Sequence, residues 1–273
     1  MNQEKFPVMP DPSRDQHFMT NRKTVERIVD LAGITRKDVI LEIGAGTGIL
    51  TEQLARKKAR IIAVELDRRF SKTLGRLHYE NLEIIYANAL DVIDEIEFDK
   101  IVSNIPYSIC EPLIGKLLRR SFDLAVMSVP ENFYSIISSE PGEKNYSLLS
   151  LKAACFFSIE SKLKIPAGDF FPPPRTDSVA ILLRPLPKND YEKDPEKFVF
   201  REIFLQSEKK LKNALMEALI NLNKKILAKN FTKKLALGAI GGMEIDERLL
   251  EKGAEEMRLE DFTELGERLR IFL

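Results

Sequence analysis

Short apolar runs alternate with helical stretches over the first two thirds of the chain. The runs have the length of buried strands, and they cover residues 39–43, 61–65, 82–86, 100–103 and 124–129. The segments between them carry apolar residues at helical spacing, as in 25–31, 49–57, 68–78 and 112–119. This alternation predicts an α/β domain in which helices cover both faces of a parallel sheet. A last strand, with alternating polarity, is predicted at 179–184.

The pattern changes near residue 185. Residues 185–196 are polar and rich in proline, which is typical of a domain boundary. Beyond them the apolar spacing is helical throughout, with predicted helices at 198–222, 232–239, 246–253 and 259–269. We therefore predict a flexible N-terminal arm over residues 1–13, an α/β domain over 14–186 and a small all-helical domain over 187–273.

A glycine-rich turn joins the first predicted strand to the helix after it. Its glycines are Gly44, Gly46 and Gly48. The dinucleotide-binding fingerprint G-x-G-x-x-G would need its third glycine at position 49, where this chain has Ile49. The sequence also contains no Walker-type phosphate loop. The spacing E-x-G-x-G-x-G from Glu42 is instead that of Rossmann-like, class I methyltransferases, whose loop backbone approaches the methionine part of S-adenosylmethionine (SAM). We expect SAM as the cofactor.

Two further strand ends supply candidate contacts to the same cofactor. Glu65 ends the second predicted strand, where a carboxylate can accept hydrogen bonds from both ribose hydroxyls. Leu66 follows it directly. Asn88 and Ala89 come after the third strand, where the Asn88 carbonyl oxygen can accept from the adenine amine. A surface glutamate and a turn asparagine are the alternative interpretations.

The segment Asn104-Ile105-Pro106-Tyr107 follows the fourth predicted strand, at the same edge of the sheet as the glycine loop. An aromatic amine is a poor nucleophile because its lone pair is delocalised into the ring. The Asn104 side-chain oxygen and the Ile105 carbonyl are suited to accept both amine hydrogens. Pro106 stiffens the turn, and Tyr107 offers a flat face to a base. The alternative is an asparagine–proline turn with a buried tyrosine.

Two adjacent phenylalanines, Phe170 and Phe171, precede three prolines. A ring on such a rigid segment can close the other face of a base that has left its stack. We predict this role for Phe170 and a core position for Phe171. The predicted catalytic residues are thus Asn104, Ile105, Pro106, Tyr107 and Phe170.

Composition narrows the possible classes of protein. The 273 residues include only two cysteines and two histidines, which argues against a metal centre, a disulfide framework and a Ser-His-Asp triad. No signal peptide or membrane span is predicted, so we expect a cytoplasmic protein with no membrane partner. The net charge is zero, but eight lysines stand against one acid over 209–234, and ten acids against three bases over 244–267. The lysines could meet phosphate, or the two charged stretches could pair with each other.

Together these segments resemble the ribosomal RNA adenine dimethyltransferases. Residues 15–19 are similar to the family's G-Q-N/H-F-L, residues 146–150 to Y-G-R-L-S, residues 170–178 to F-x-P-x-P-K-V-D-S, and residues 204–215 to F-x-Q-R-R-K-x-x-R-N-x-L. The resemblance implies that Gln16, Phe18 and Met19 border SAM, and it favours Lys209, Lys210 and Lys212 as RNA-binding residues. It also implies dimethylation of two adjacent adenosines near the 3′ end of small-subunit ribosomal RNA, on an assembling small ribosomal subunit. We expect a monomer.

The chain departs from the family pattern at several residues, and the cofactor and amine sites depart less than the residues expected to face RNA. Asp15 stands for a glycine, Asn88 for an acid, and Ser207 and Glu208 for two arginines. Three alternatives therefore stay open: a divergent paralogue with another RNA substrate, such as a large-subunit adenosine; a weakly catalytic or non-catalytic ribosome assembly factor; and a small-molecule methyltransferase. The lysine-rich stretch and the separate helical domain argue against the last.

Overall fold

The structure is a computed structural model that describes residues 8–11 and 15–272. The chain divides into two compact units, of which the first contains the residues up to Ser135 together with Ser158–Pro185. The second contains Ile136–Phe157 together with the chain from Leu186 onward. The sequence did not indicate that residues 136–157 leave the sheet domain. Most of the predicted arm, residues 1–7, 12 and 13, lies outside the described residues.

The first unit is built on a seven-stranded sheet with the order β4-β3-β2-β5-β6-β9-β7. Its strands are β2 (Val39–Ile43), β3 (Arg60–Val64), β4 (Leu82–Ile85), β5 (Lys100–Asn104), β6 (Leu124–Pro130), β7 (Phe157–Ile165) and β9 (Ser178–Pro185). The five strands from β4 to β6 pair in parallel, and β9 pairs antiparallel with β6. A separate two-stranded sheet joins β1 (Phe18–Met19) to β8 (Phe170–Phe171).

Helices follow the parallel strands as the apolar pattern predicts. They are α1 (Arg22–Leu31), α2 (Ile49–Ala55), α3 (Ser71–Leu74), α4 (Ala89–Val92) and α5 (Cys110–Leu117), and α6 (Glu131–Ile137) runs from the first unit into the second. The central strands are apolar on both faces and almost wholly buried, because helices cover both sides. The predicted Rossmann-like class is confirmed.

The strand order reverses between β2 and β5, because the chain adds β3 and β4 on one side before it returns to add β5 on the other. Ligands of open α/β sheets bind at such a point. The two strands pair only through Ile40–Lys100 and Leu41–Ile101. Further along, the buried Ser103 hydroxyl accepts from the Ile43 N–H (3.2 Å) and donates to the Ile43 carbonyl.

In the first unit one secondary-structure prediction was wrong, and one strand was not predicted. The predicted helix at 68–78 is a 3-10 turn at Arg68–Phe70 followed by the short α3, which ends at Gly75. Glycine is a poor helix former, so the apolar spacing alone overestimated the length. Strand β7 was missed, although its apolar and polar residues alternate as expected for an edge strand with one buried face.

The second unit is helical. Its helices are α7 (Leu148–Phe156), α8 (Lys188–Lys193), α9 (Pro195–Leu205), α10 (Leu211–Asn221), α11 (Lys233–Gly242), α12 (Glu247–Glu251) and α13 (Leu259–Phe272). The single helix predicted at 198–222 was wrong: it is broken at residues 206–210. There Lys210 is extended and forms a bridge with Gly253, and the Leu211 N–H donates to the Lys252 carbonyl (2.8 Å). Within the described residues, no helix is long and apolar enough to span a bilayer.

Three phenylalanine rings form the centre of the helical unit. Phe262 of α13 is 1% exposed, and its ring centroid lies 5.2 Å from that of Phe200 and 4.6 Å from that of Phe204, both on α9. Aromatic pairs at these separations add to the free energy gained by burial. The contact therefore ties the last helix to the first long helix after the linker.

We expect Phe262→Ala to lower the free energy of unfolding by about 3–5 kcal/mol, because it removes a fully buried ring and leaves a cavity. The measurement is guanidinium unfolding followed by far-UV circular dichroism. Phe272→Ala is the matched control in the same helix: its ring is 44% exposed, and the change should stay within about 0.5 kcal/mol. Equal effects of the two substitutions would show that the ring cluster does not stabilise this unit.

Candidate active site

The glycine loop leaves β2 at the point where the strand order reverses. Gly44, Gly46 and Gly48 all have positive φ, at 79°, 53° and 83°. An added Cβ at Gly46 would lie 2.6 Å from a carbon of the Phe18 ring. Any larger residue at this position would therefore force the ring or the loop backbone to move. Gly46 therefore meets two demands at once, a left-handed backbone and close contact with an aromatic side chain.

Glu65 fastens this loop to the end of β3. One carboxylate oxygen accepts from the Gly46 N–H and the other from the Asp67 N–H, both at 2.7 Å. The side chain is buried, and burial raises its pKa above the usual value. Each oxygen keeps a second lone pair, so the carboxylate can still accept from hydroxyl groups in the adjoining cavity.

Glu42 lies on β2 and is fully buried. Burial raises the pKa of its carboxyl to about 8, and the charge of Glu65 acts in the same direction. Oε2 of Glu42 is buried with no hydrogen-bond partner among the described residues. Two neighbouring acids held in a region of low polarity would be stabilised by a positively charged ligand.

The N-terminal segment closes over the loop through β1. Phe18 pairs with Phe171 and Met19 with Phe170, so residues about 150 positions apart in sequence lie side by side. The Phe18 ring also contacts Phe70 edge to face, at 5.2 Å between centroids. Met19 is buried in the core, and Phe18 reaches the cavity.

Gln16 connects the N-terminal segment to the turn after β3. Its Nε2 donates to Asp67 Oδ2 at 3.0 Å, and its Oε1 accepts from the Arg69 guanidinium at 3.3 Å. The Arg69 guanidinium beside Asp67 holds the pKa of that carboxyl well below its usual range. The side chain of Gln16, a predicted cofactor residue, is therefore held in place by the ion pair of Asp67 and Arg69.

Asp15 was not predicted as a site residue. Its backbone conformation and one hydrogen bond account for an aspartate where the family pattern has a glycine. Its φ is 54°, a conformation that glycine adopts without cost and aspartate tolerates better than most residues. Its Oδ2 accepts from the Ser108 N–H at 3.0 Å. The carboxylate thus joins the N-terminal segment to the turn that carries Tyr107.

Asn104 lies at the end of β5 with its amide orientation fixed. Nδ2 donates to the His17 carbonyl at 3.1 Å, so Oδ1 must be the other atom of the amide. Oδ1 is buried and has no hydrogen-bond partner in the part of the chain that the structure describes. Leaving a buried carbonyl unpaired costs about 1–3 kcal/mol, which makes this atom a candidate acceptor for a ligand.

Tyr107 follows in a 3-10 turn and is half-buried. Its hydroxyl shares a hydrogen bond of 2.8 Å with the buried Ser178 hydroxyl. The His17 ring stacks on the Tyr107 ring with the centroids 5.8 Å apart, and His17 Nδ1 lies 2.8 Å from the Pro172 carbonyl oxygen. His17 and Ser178 were not predicted; both lie within the segments that carry the family resemblance.

The structure does not fit the role predicted for Phe170. Its side chain is 4% exposed and packs in the core with Met19, whereas Phe171 is the partly exposed ring of the pair. The reason is the pairing of β8 with β1, which turns alternate side chains to opposite faces. In this conformation Phe170 is a core residue that supports the segment, and it does not offer a face to a base.

A cavity of about 670 Å³ opens at this edge of the sheet. Nine of the predicted residues line it: Gln16, Phe18, Gly44, Glu65, Leu66, Asn88, Ala89, Asn104 and Pro106. The other predicted residues of this unit do not line it: Met19, Glu42, Gly46, Gly48, Ile105, Tyr107 and Phe170. Asp15, His17 and Arg68 are lining residues that were not predicted.

Asn88 lies at the wall of this cavity as the first residue before α4. Its Oδ1 accepts from the Leu90 N–H at 3.1 Å and so caps the helix. The oxygen that was predicted to meet an adenine amine is therefore partly used by the backbone. Its second lone pair remains available.

The predicted RNA-binding lysines belong to the second unit, and two of them are in ion pairs. Lys209 Nζ lies 2.7 Å from Glu217 Oε2, and Lys210 Nζ lies 2.6 Å from Glu251 Oε2. Lys212 is exposed. Among the residues that the structure describes, no group of three or more His, Cys, Asp or Glu side chains is arranged to hold a metal ion.

We expect Glu42→Gln to change how stability depends on pH. The Glu42 carboxyl ionises near pH 4.5, as an ordinary glutamate does, in the unfolded chain but only near pH 8 in the folded one. Between these values the unfolded state binds fewer protons, so this residue lowers the free energy of unfolding as pH rises. At about 1.4 kcal/mol per pH unit, the variant should gain up to roughly 4 kcal/mol over the wild type between about pH 5 and pH 8.

The measurement is guanidinium unfolding of both proteins across that range. Glu83→Gln is the control, because the Glu83 side chain is 52% exposed and pairs with Arg60 at the surface. Its difference from the wild type should not grow with pH. If the Glu42→Gln difference were also constant with pH, the buried carboxyl would be ionised in the folded protein throughout the range.

Comparison with known proteins matches most of this chain to one protein family. The model of the ribosomal RNA adenine dimethylase family matches residues 11–241. A protein of Methanosarcina mazei, named a probable ribosomal RNA small subunit methyltransferase A, is 42% identical over 207 residues, which is 74% of this chain and 76% of that protein. A protein of Pyrococcus furiosus with the same name is 35% identical over 226 residues, 82% of either chain.

Two solved structures share the fold of this chain. A dimethyladenosine transferase of Plasmodium falciparum superimposes with a TM-score of 0.61 at 29% identity, over 91% of this chain and 96% of that one. The 23S rRNA methyltransferase ErmE superimposes with a TM-score of 0.59 over 93% and 99% of the two chains; at 22% identity this shows the fold. With its glycine loop, its Asn104 segment and its matched relatives, the chain belongs to the ribosomal RNA adenine dimethylase family.

Proposed function

We propose that this protein transfers methyl groups from SAM to the exocyclic amine of adenosines in ribosomal RNA, and that it dimethylates two adjacent adenosines near the 3′ end of the small-subunit RNA. The observation that carries the proposal is the buried Asn104 Oδ1, which has no partner among the described residues and belongs to a residue that lines the cavity of the glycine loop. A hydrogen-bond acceptor at this place suits an amine donor.

The residues present fit SAM as the cofactor. The glycine loop brings backbone close to the cavity, Glu65 retains free lone pairs for ribose hydroxyls, and Leu66 and Ala89 offer apolar surface beside Asn88 for an adenine ring. Glu65, which is buried at the wall of the cavity, favours a ligand that carries positive charge. When bound there, SAM supplies a methyl group on a positively charged sulfur, which a neutral amine nitrogen can attack without prior deprotonation.

The chain's own contribution is to hold the amine. The Asn104 amide cannot rotate freely, because Nδ2 is held by the His17 carbonyl. Oδ1 is thus preorganised to accept one amine hydrogen, and the Ile105 carbonyl is suited to accept the other. These contacts draw the nitrogen toward a tetrahedral geometry and localise its lone pair, so they act by positioning and electrostatics. The product proton can leave to water, and no side chain needs to act as a general base.

Tyr107 is suited to support the base ring, since its hydroxyl is anchored to Ser178 and its face is stacked on His17. A base that enters must either replace His17 on that face or stack against the exposed part of the ring. Phe171, the partly exposed member of the phenylalanine pair, takes the role first predicted for Phe170 in this proposal.

The small subunit is the preferred target because the relatives from Methanosarcina mazei and Pyrococcus furiosus, which match most of the chain, carry that subunit in their names. We expect labelled methyl groups to pass from SAM to adenosines of small ribosomal subunits that lack the dimethylation. Large subunits and naked ribosomal RNA serve as controls. Label on large subunits alone would contradict the assignment, and no label on any of them, with SAM still bound, would favour a non-catalytic assembly factor.

We expect Asn104→Ala to reduce methyl transfer by about 10²–10³-fold, as losing one preorganised hydrogen bond does at other enzymes. SAM affinity should change little, because the loop and Glu65 remain. The measurement is single-turnover transfer to small subunits together with equilibrium binding of SAM.

Asn104→Asp separates the two halves of the amide. It keeps an acceptor at Oδ1 and loses the donor to the His17 carbonyl, so it should retain more activity than Asn104→Ala. If both variants transferred methyl groups at the wild-type rate, Asn104 would have no part in the reaction.

A further inference from the structure

One stretch of the helical unit contains several lysines and no acidic residue. Residues 218–243 contain five lysines, Lys224, Lys225, Lys229, Lys233 and Lys234, and no aspartate or glutamate. Like charges at such density repel one another and destabilise the folded chain unless a counter-charge is supplied. Elsewhere in the helical unit, acidic side chains supply this counter-charge to other lysines.

Acids of the helical unit neutralise a different group of lysines. Lys209 and Lys210 are paired with Glu217 and Glu251, and the pKa of Glu251 is lowered chiefly by its hydrogen bond to Lys210, with Lys212 contributing. An RNA-binding role for Lys209 and Lys210, which sequence similarity suggests, would compete with these two ion pairs. An ion pair that must break reduces the gain from binding phosphate.

Within the stretch, Lys225 alone among the described lysines has an acid close by, at 3.7 Å from Glu202. Glu202 is buried and already accepts from Arg201 and Asn221, at 2.7 and 2.6 Å. Lys224, Lys229, Lys233 and Lys234 are all exposed, and none forms an ion pair with the residues that the structure describes. We call these four the free lysines.

The backbone around the free lysines is irregular. A π-helical turn at Leu222–Ile226 carries Lys224, and Ala228 has a φ of 52°, which is unusual for a residue other than glycine. Both features recur at functional sites. Lys233 and Lys234 occupy the first turn of α11, where the helix dipole disfavours positive charge and no acid compensates.

We infer that the free lysines form a surface that binds the phosphate backbone of ribosomal RNA, an inference that rests on the proposed function. A polyanion would relieve both the mutual repulsion of these lysines and the unfavourable charge at the start of α11. The contact would be independent of base sequence and would position the particle on the enzyme. Lys209 and Lys210 precede α10, whereas the free lysines lie in the π-helical turn after α10, in the following loop and in the first turn of α11.

The experiment compares two triple variants of the full-length chain. Lys224→Gln, Lys229→Gln and Lys234→Gln are combined in one protein, and Lys197→Gln, Lys209→Gln and Lys210→Gln, three lysines that are each paired with an acid, in the other. Both lose three positive charges, so long-range attraction falls equally. Binding to small ribosomal subunits is measured across salt concentrations, with SAM binding and circular dichroism to show that both variants fold.

The free-lysine variant should bind at least about tenfold more weakly near 0.1 M salt, and its log–log salt slope should fall by about 2–3, since each lost phosphate contact removes roughly 0.7–0.9. Its KM for subunits should rise while kcat stays at the wild-type value. The paired-lysine variant should change its slope by less than about one. Equal effects in the two variants would overturn the inference.

The outcomes separate this inference from the proposed function. If the wild type methylates subunits and the free-lysine variant binds and methylates like it, only the inference fails. If the wild type binds ribosomal RNA through the free lysines but transfers no methyl group, only the proposed reaction fails. A loss of affinity without a change in salt slope would assign the surface to a ribosomal protein and would overturn the inference.

Discussion

The way β2 is held against β5 is the constraint on which the site depends. The backbones of the two strands pair through only two residues each, Ile40 and Leu41 with Lys100 and Ile101. Further along, the Ile43 N–H and carbonyl lie inside the protein, and the Ser103 hydroxyl satisfies both. The glycine loop and Asn104 then lie side by side, since a Cβ at Gly44 would lie 3.5 Å from the Pro106 ring and 3.9 Å from the Asn104 carbonyl oxygen.

The charge distribution around the cavity follows from the same arrangement. Glu42 on β2 and Glu65, which directly follows β3, are both buried, and burial raises the pKa of each carboxyl. Asn104 adds an unpaired oxygen, again without a positive partner among the described residues. Three carboxylates, Asp15, Glu65 and Asp67, line the cavity with one guanidinium, Arg68. This excess of acids favours ligands that bring donors and positive charge, and a sulfonium cofactor with an amine substrate meets both requirements.

Local patterns were enough to predict the parallel sheet, the glycine loop and its place beside Asn104, because these depend on periodicity and on the shared edge of parallel strands. Features set by distant segments were not predictable in this way. Whether Phe170 or Phe171 faces the core depends on how β8 pairs with β1, about 150 residues away in sequence. The break between α9 and α10 depends on the bridge from Lys210 to Gly253, and the pairing of Lys210 depends on Glu251.

The two-stranded sheet of β1 and β8 has a consequence for biosynthesis. Residues 16–19 emerge from the ribosome early, but their partner strand, Phe170–Phe171, follows only after most of the sheet domain has been made. Until then the His17 carbonyl has no fixed place, and the Asn104 amide that donates to it is free to rotate. The five parallel strands are therefore synthesised before the segment that fixes the His17 carbonyl, and a chain that stalls before residue 170 lacks the strand pairing on which the orientation of the Asn104 amide depends.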